Sequence, residues 1–425
     1  MEIYVVQQGD TVASIAQKYG ISPERLITDN GIIAPYFLAV GQTLVITKPS
    51  AVYTVKEGDT LEGIAEAHEV TVMQLLRNNP WLAERQYIYP DETIVISYDN
   101  NMGYLLMAGY SYPFISDVTL RMTLPYLTYL VVFNYRMTRE GNLIGSDDDI
   151  AVVETAKAFG VGSTLVVTTF SLTGEADPAA AYEILRNTRL QKKIIDDLLA
   201  IVEEKGYAGV NLAFQYINVL NQQYYLDFLT NVANVMHPAG YSVFITVNPG
   251  ISFTGTELVF ERINYEAFAK EADAILFLSY SWGTTQGPPL EYSMASLIPF
   301  LEYILTQIPL DKIRIALPTI AYDWQLPYVV GESSANALNY SSAISLALET
   351  NSVIRYDEAS LSAYFEYVDL NGNQHIVWLK DARSIDSSIK ILQSYGIEGI
   401  GIWNIMYYFH QLWLVINTQY QIRKP

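Results

Sequence analysis

The chain has 425 residues, half of them apolar and 16% charged, which is enough for two or three domains with large cores and argues against disorder. A formal net charge of −20 disfavours nucleic acid and anionic membrane surfaces as partners, because both repel an acidic protein. Without Cys there is no disulfide or thiolate metal site, and the 4 His stand in no paired spacing, so we expect neither metal nor cofactor.

The beginning of the chain predicts no secretory signal. Residues 1–6 lack a basic stretch followed by an apolar core, and no uncharged apolar run of the sequence reaches the length of a bilayer. We therefore expect a soluble chain without a membrane span that is made in a cytoplasm. This is compatible with later deposition on a surface assembled inside a mother cell.

An internal repeat opens the chain, because the segment 4–11 returns with few changes at 53–60. Each copy begins with an alternating strand, followed by a Gly-Asp-Thr turn whose Asp or Thr caps a helix. A second helix and a short closing strand follow, the latter at 43–46 in copy one and 93–96 in copy two. The pattern predicts two small βααβ modules.

These modules resemble LysM modules in the opening Tyr-x-Val-x-x-Gly-Asp-Thr, the Ile-Ala pair, the Leu-x-x-x-Asn and the closing Gly-Gln-Thr-Leu-x-Ile. We assign them to residues 1–48 and 52–97. The resemblance implies binding of an N-acetylglucosamine polymer, peptidoglycan or chitin-like, in a groove between two loops. The implied contacts are Gly9, Asp10, Thr11, Ile32, Gly58, Asp59, Thr60 and Leu82. The alternative is that Gly-Asp-Thr serves only as turn and cap. Copy two departs from the pattern with Asp91-Glu92 in place of Gly41-Gln42.

From Met102 onward, short apolar runs alternate with helical patterns, as in βαβ units. The predicted strands are 104–108, 129–133, 165–169, 210–214, 242–246, 274–278, 313–317 and 399–403. Eight such units over 102–425 predict a (β/α)8 TIM barrel. The stretch 323–390 is too long for one connection, and its Asn-Gly hairpin predicts a small α+β insertion after strand seven.

Functional groups of such barrels come from the C-terminal ends of the strands. Here those ends are aromatic and amide-rich, and the 33 Tyr of the chain fit a sugar-binding surface as well as a barrel shell. Several stretches resemble glycoside hydrolase family 18 in its spore cortex-lytic N-acetylglucosaminidase branch, among them 109–114, 322–324, 379–384 and 399–403. Two LysM modules ahead of the barrel are also that branch's arrangement.

The resemblance implies a particular active site on strand four. In the family motif Asp-Gly-x-Asp-x-Asp-x-Glu, the Glu protonates the leaving oxygen, and the last Asp orients the substrate's 2-acetamido group, which is the nucleophile. Residues 208–215 align without a gap, and Gly209, Tyr280 and Trp403 are retained. Three acid positions hold residues that cannot act as acids, namely Gln215 at the acid, Ala213 at the orienting Asp and Ser281 at the strand-six Asp. The resemblance thus implies that hydrolysis is abolished or nearly so.

Three hypotheses follow. In the first, the protein is a non-catalytic wall-binding protein whose cleft holds sugar through Trp403, Tyr280, Gln215, Tyr110 and Tyr112. In the second, it is an active cortex-lytic N-acetylglucosaminidase with a relocated acid, for which Asp323 after strand seven is the best candidate; a structural Asp in a Tyr-Asp-Trp turn is the alternative. In the third, it is a scaffold among spore-coat proteins with a vestigial cleft. The resemblance places the chain at the spore coat or cortex surface.

Overall fold

The computed structural model describes residues 1–85, 87–99, 101–169, 177–214, 217–249, 251–254, 257–278, 294–329 and 332–424. The predictions for Gln215, Tyr280 and Ser281 lie outside the described residues. Among the described residues, no helix is both long and apolar enough to cross a membrane.

Module 1 consists of β1 (Glu2–Val5), α1 (Val12–Tyr19), α2 (Pro23–Asn30) and β2 (Thr43–Ile46). Its two strands pair antiparallel, and the helices pack over them on a core that includes Ile15, Leu26 and Leu44. The Thr11 and Ser22 side chains cap the two helices by accepting backbone hydrogen bonds.

Module 2 repeats this order with β3 (Ala51–Thr54), α3 (Leu61–Ala67), α4 (Val72–Asn78), a 3₁₀ turn (Pro80–Glu84) and β4 (Thr93–Ser97). Its strands also pair antiparallel. The βααβ prediction is therefore confirmed for both copies.

The large unit is a closed barrel of eight parallel strands, because its first strand pairs with both its second and its last. The barrel strands are β5 (Tyr104–Ser111), β6 (Tyr129–Met137), β8 (Gly162–Thr168), β9 (Gly209–Phe214), β10 (Ser242–Val247), β13 (Ala274–Phe277), β14 (Ile313–Pro318) and β20 (Gly399–Trp403). Each overlaps a predicted strand, so the predicted TIM barrel is confirmed.

Helices and minor strands surround the barrel. The helices are α5 (Asp117–Thr123), α6 (Asp149–Ala158), α7 (Pro178–Arg186), α8 (Thr188–Lys205), α9 (Gln222–Met236), α10 (Tyr265–Glu271), α11 (Met294–Leu305), α13 (Ala382–Ser394) and α14 (His410–Asn417). Short 3₁₀ turns cover Leu124–Tyr126 and Leu310–Lys312. The minor strands are β7 (Leu143–Ile144), β11 (Ile251–Thr254), β12 (Glu257–Phe260) and β21 (Gln421–Ile422).

The predicted insertion after the seventh barrel strand is a five-stranded antiparallel sheet with one helix. It contains β15 (Ala321–Gln325), β16 (Asn336–Leu338), α12 (Tyr340–Glu349), β17 (Arg355–Asp357), β18 (Ser362–Val368) and β19 (Gln374–Leu379). One face of the sheet packs on α12, and the other carries a cluster built on Trp324 and Trp378.

Module 1 docks on the barrel and the insertion through side-chain and backbone hydrogen bonds. The Thr43 hydroxyl donates to Gln411 Oε1 over 2.8 Å, and the Ile354 amide donates to the Val40 carbonyl over 2.9 Å. Module 2 docks through a buried cation, because Arg77 donates to the Pro125 carbonyl over 3.1 Å. Both modules therefore have fixed positions on the barrel.

Candidate functional site

The C-terminal ends of β5, β6 and β20 carry a continuous row of aromatic rings. Ring centroids are 5.2 Å apart for Tyr110 and Trp403, 5.8 Å for Trp403 and Phe133, and 5.5 Å for Phe133 and Tyr112. Tyr112 also stacks on Phe114 at 5.2 Å, and Phe114 is 72% exposed. This aromatic row leads from the barrel interior to solvent, and flat apolar rings of this kind suit the apolar faces of sugars.

The three predicted sugar contacts in the row differ in their exposure. Tyr110 is 1% exposed and lies under Trp403, to which it is paired in strand register. It therefore supports Trp403 instead of presenting its own ring. Tyr112 and Trp403 are only partly buried, so their rings can contact a ligand.

Beneath Trp403, three uncharged side chains form a closed hydrogen-bond network. The Tyr110 hydroxyl lies 2.7 Å from Thr246 Oγ1, which donates to Asn211 Oδ1 over 2.8 Å, and Asn211 Nδ2 donates back to the Tyr110 oxygen over 3.3 Å. Burial raises the pKa of Tyr110, so its hydroxyl stays neutral. The network satisfies its buried polar groups and provides a neutral floor for the site.

Ala213 lies on β9 two residues beyond Asn211, so both side chains point to the same face of the strand. It packs in the interior cluster that also contains Phe133 and Trp403. A methyl group therefore occupies the position where the resemblance predicts the orienting Asp. None of the eight barrel strands contains Asp or Glu within its described bounds, and Arg136 and Arg314 are their only charged residues.

Asp323 lies on β15 of the insertion, and both of its oxygens are engaged. Oδ1 is 2.9 Å from His375 Nδ1, and Oδ2 accepts the Tyr367 hydroxyl over 2.8 Å. Asp323 is 6% exposed and shares the face of Ala321, which packs toward α12. Its neighbours in sequence, Tyr322 and Trp324, point to the opposite face. This geometry supports a structural role for Asp323 over the role of a relocated catalytic acid.

The Gly-Asp-Thr turns of the two modules have the same internal geometry. Asp10 accepts from the Tyr4 hydroxyl and the Gln7 amide, both over 2.7 Å, and Asp59 makes the matching bonds to Tyr53 and Lys56 at 2.9 and 2.7 Å. Thr11 and Thr60 cap the following helices. Gly9 and Gly58 have φ of +88° and +87°, a conformation that favours glycine. The turn-and-cap role therefore accounts for every side chain of the motif.

Two side chains predicted to contact glycan are largely buried in the module cores, although Ile32 also lines a cleft beside module 1. Ile32 is 8% exposed and Leu82 is 1% exposed, because each packs against the helices of its own module. The exposed apolar side chains in these loops are others, which the sequence analysis missed: Ile33 and Phe37 at 62% and 68% in module 1, and Tyr87 and Tyr89 at 60% and 49% in module 2. In the sequence, these residues could have been identified as a run of apolar and aromatic side chains in a segment that is predicted to form neither helix nor strand.

Within the described ranges, no group of three or more His, Asp or Glu side chains is placed to hold a metal ion. The site therefore offers stacking surfaces, amides and hydroxyls. Such groups bind neutral polar ligands such as sugars.

Comparison with known proteins agrees with this geometry. Residues 4–47 and 53–97 match the LysM domain, and residues 107–407 match Glycosyl hydrolases family 18. The chain is 31% identical over 433 residues to the Cortical fragment-lytic enzyme of Bacillus anthracis, covering 100% of this chain and 99% of that protein. The Bacillus subtilis protein of the same name is 31% identical over 436 residues, with the same coverage.

Among solved structures, the Bacillus cereus spore cortex-lytic enzyme SleL matches with a TM-score of 0.80 and 29% identity, covering 100% of this chain and 99% of that chain. The enzyme of the same name from Bacillus megaterium matches with a TM-score of 0.79 and 26% identity, again over 100% and 99% of the two chains. The chain therefore belongs to glycosyl hydrolase family 18 and carries two LysM domains ahead of its barrel.

Proposed function

We propose that this protein binds an N-acetylglucosamine-containing wall glycan through its LysM modules and its aromatic row without hydrolysing it. The observation that carries the proposal is the absence of Asp and Glu from all eight barrel strands within their described bounds, Ala213 included. In the sequence, Gln215 and Ser281 extend the same loss beyond these strands.

The chemistry of hydrolysis explains why this loss matters. A Gln amide has no proton to transfer at neutral pH, and general acid catalysis is worth about 10²–10⁴ in rate. In a substrate-assisted mechanism, the orienting Asp stabilises the charge that develops on the acetamido group, and electrostatic terms of this kind are of comparable size. Losing both groups is expected to remove nearly all activity.

Binding does not need these acids. Trp403 and Tyr112 present partly buried rings, and Tyr110 with its hydrogen-bond network holds Trp403 from below. In the proposal, Gln215 and Tyr280, which stand at motif positions of the family in the sequence, contribute an amide and a ring to the same ligand. Full-length relatives are named cortical fragment-lytic enzyme, and a solved structure of similar fold is named spore cortex-lytic enzyme. We therefore propose cortex peptidoglycan as the ligand and the cortex or coat surface of a spore as the location, with spore-coat proteins as neighbours.

A paired assay tests the proposal. The protein is incubated with purified cortex peptidoglycan, and both co-sedimentation and release of reducing ends are measured. We expect sedimentation without release. Trp403→Ala is expected to weaken binding of the barrel by about tenfold, since one stacked ring is worth roughly 1–2 kcal/mol. Tyr407→Ala, which removes a 66% exposed ring outside the row, is the control.

A second candidate is hydrolysis with a relocated acid, which the full-length similarity to cortex-lytic enzymes favours. Release of reducing ends that disappears in Asp323→Asn would establish it and overturn the first proposal. The Asp323 geometry argues for the opposite result, because donating a proton would require its bonds to His375 and Tyr367 to break. If the protein neither sediments nor releases ends, the scaffold hypothesis replaces both. As a further check, the double change Ala213→Asp with Gln215→Glu is expected to restore release if the rest of the site is intact.

A further inference from the structure

A second cleft lies between module 1 and the insertion and shares no residue with the aromatic row. One wall is the module 1 loop between α2 and β2, which includes Ile32, a glycan contact that the LysM resemblance implies, and the other wall is a face of α12. The cleft has a volume of about 390 Å³, which falls within the range of roughly 300–1,000 Å³ typical of small-molecule sites. We call it the module–insertion cleft.

The walls combine exposed apolar surface with polar groups. Ile33 and Phe37 from module 1 are 62% and 68% exposed, and they share the cleft with Ile344 and Leu348 of α12. Contiguous exposed apolar surface with a polar rim is typical of ligand-binding grooves. On α12, the opposite face carries Ala343 and Ala347, which pack into the insertion core.

Hydrogen-bonding groups are available at the same place. Ser341 and Ser345 line the cleft one helical turn apart, and Gln42 lines it from module 1. Gln42 Oε1 accepts from the Ala39 amide, whereas its Nε2 has no acceptor within the described part of the chain. The Ser341 and Ser345 hydroxyls likewise make no hydrogen bond to described residues. The cleft therefore has apolar platforms with donors and acceptors at their edges, as sugar rings require.

The two walls are held in place by contacts that leave no room for a side chain. At Gly41, an added Cβ would lie 1.8 Å from the Ile354 carbonyl oxygen, and at Gly31 it would lie 2.3 Å from the His410 ring. The bonds from Ile354 to Val40 and from Thr43 to Gln411 fix the same interface. A cleft with fixed walls costs little ordering on binding, which favours affinity.

We propose that the module–insertion cleft is a glycan subsite that holds a short stretch of N-acetylhexosamine chain between module 1 and α12. The choice of glycan rests on the proposed function. A stem peptide is the competing ligand, but its carboxylates are disfavoured by Glu349 at the cleft and by the net charge of −20. A neutral sugar chain meets no such repulsion.

The test fills the cleft from the α12 wall, because changes in the module 1 loop would also affect that module's own binding. In the full-length protein, Ser345→Trp and, separately, Ser341→Trp are compared with Ser342→Trp, an exposed position on the same helix that does not line the cleft. Affinity for N-acetylchitohexaose is measured by calorimetry, and thermal unfolding checks that each variant is folded. We expect each filling variant to raise Kd about tenfold, equivalent to about 1.4 kcal/mol, and the control to leave it unchanged.

The outcomes separate this proposal from the one it rests on. If the wild type binds the hexaose but both folded filling variants bind it as tightly as Ser342→Trp does, the cleft proposal is overturned and the proposed function stands. If the wild type binds neither the hexaose nor cortex peptidoglycan, the proposed function itself fails. If a sugar-free stem peptide competes for the site and the filling variants weaken only its binding, the ligand is the peptide and the glycan assignment is wrong.

Discussion

Module 1 and module 2 close the same loop with the same hydrogen bond but with different side chains. In module 1, Gln42 Oε1 accepts from the Ala39 amide over 3.1 Å; in module 2, Glu92 Oε2 accepts from the Tyr89 amide over 3.0 Å. The added charge of Glu92 is balanced by Arg85, whose Nη2 donates to both carboxylate oxygens over 2.7 Å. Copy two therefore departs from the LysM pattern by a compensated exchange: Glu92 replaces Gln42 in the loop hydrogen bond, and Arg85 balances its charge.

The modules differ more in how they meet the barrel. Gly41 of module 1 packs directly against the Ile354 backbone, whereas the corresponding Asp91 of module 2 is exposed to solvent. Module 2 is held instead by Arg77, which is 8% exposed and whose pKa burial lowers to about 10. The docking partner, and not the module fold, therefore decides which residue is required at equivalent positions.

The largest expected effect comes from adding a single methyl group at the module 1 interface. Gly41→Ala is expected to lower the free energy of unfolding by about 4 kcal/mol, from a backbone clash and from strain at φ +86°. Denaturant unfolding of the full chain measures it. Gly9→Ala is the matched control, since Gly9 has φ +88° and nothing within 4 Å, so it isolates the strain at about 1 kcal/mol. Equal losses in the two variants would show that the interface is looser than described.

A pH effect of somewhat smaller size is expected at the same interface. Burial lowers the pKa of His410 from its ordinary value of 6.5 to about 4, so the folded protein holds this ring neutral beside Gly31. The unfolded chain then binds the proton first, and stability falls as the pH drops from about 6.5 to about 4, by about 3 kcal/mol in all. Unfolding measured across this range in the wild type and in His410→Gln separates the effect from other titrations. A wild-type slope identical to that of His410→Gln would contradict the burial of this ring.

The smallest expected effect concerns the compensated exchange in module 2. Burial alone would raise the pKa of Glu92, but the hydrogen bonds from the Tyr89 amide and Arg85 outweigh it and hold the pKa below 4.5. Glu92→Gln keeps the loop bond and removes the ion pair. We expect a loss of about 1 kcal/mol at pH 7, modest because both side chains are about one-quarter exposed. The loss should vanish as the pH falls through the folded-state pKa of Glu92; a loss that persists in acid would have another cause.

Local sequence patterns predicted much of the molecule because the forces behind them are local. Short apolar runs between helical patterns located all eight barrel strands, and the Gly-Asp-Thr spacing located both turns and their caps. Similarity to the family motif predicted that Ala213 replaces an Asp. The structure adds that β9 and the neighbouring barrel strands contain no Asp or Glu within their described bounds. The short strands β7 and β21 were not predicted, because two residues carry no periodic signal.

What the sequence by itself determined is therefore the set of elements and their order, and its resemblance to the family predicts the loss of the family's acids. Only the tertiary structure decided which side chains are exposed to solvent. Ile32 and Leu82 lie in cores while Ile33 and Phe37 are exposed, and Asp323 turns toward His375, which is 52 residues away in the chain. The module–insertion cleft exists only because module 1 docks on the insertion. These outcomes depend on contacts between residues that are distant in sequence. A local sequence pattern does not determine which distant segment packs against it.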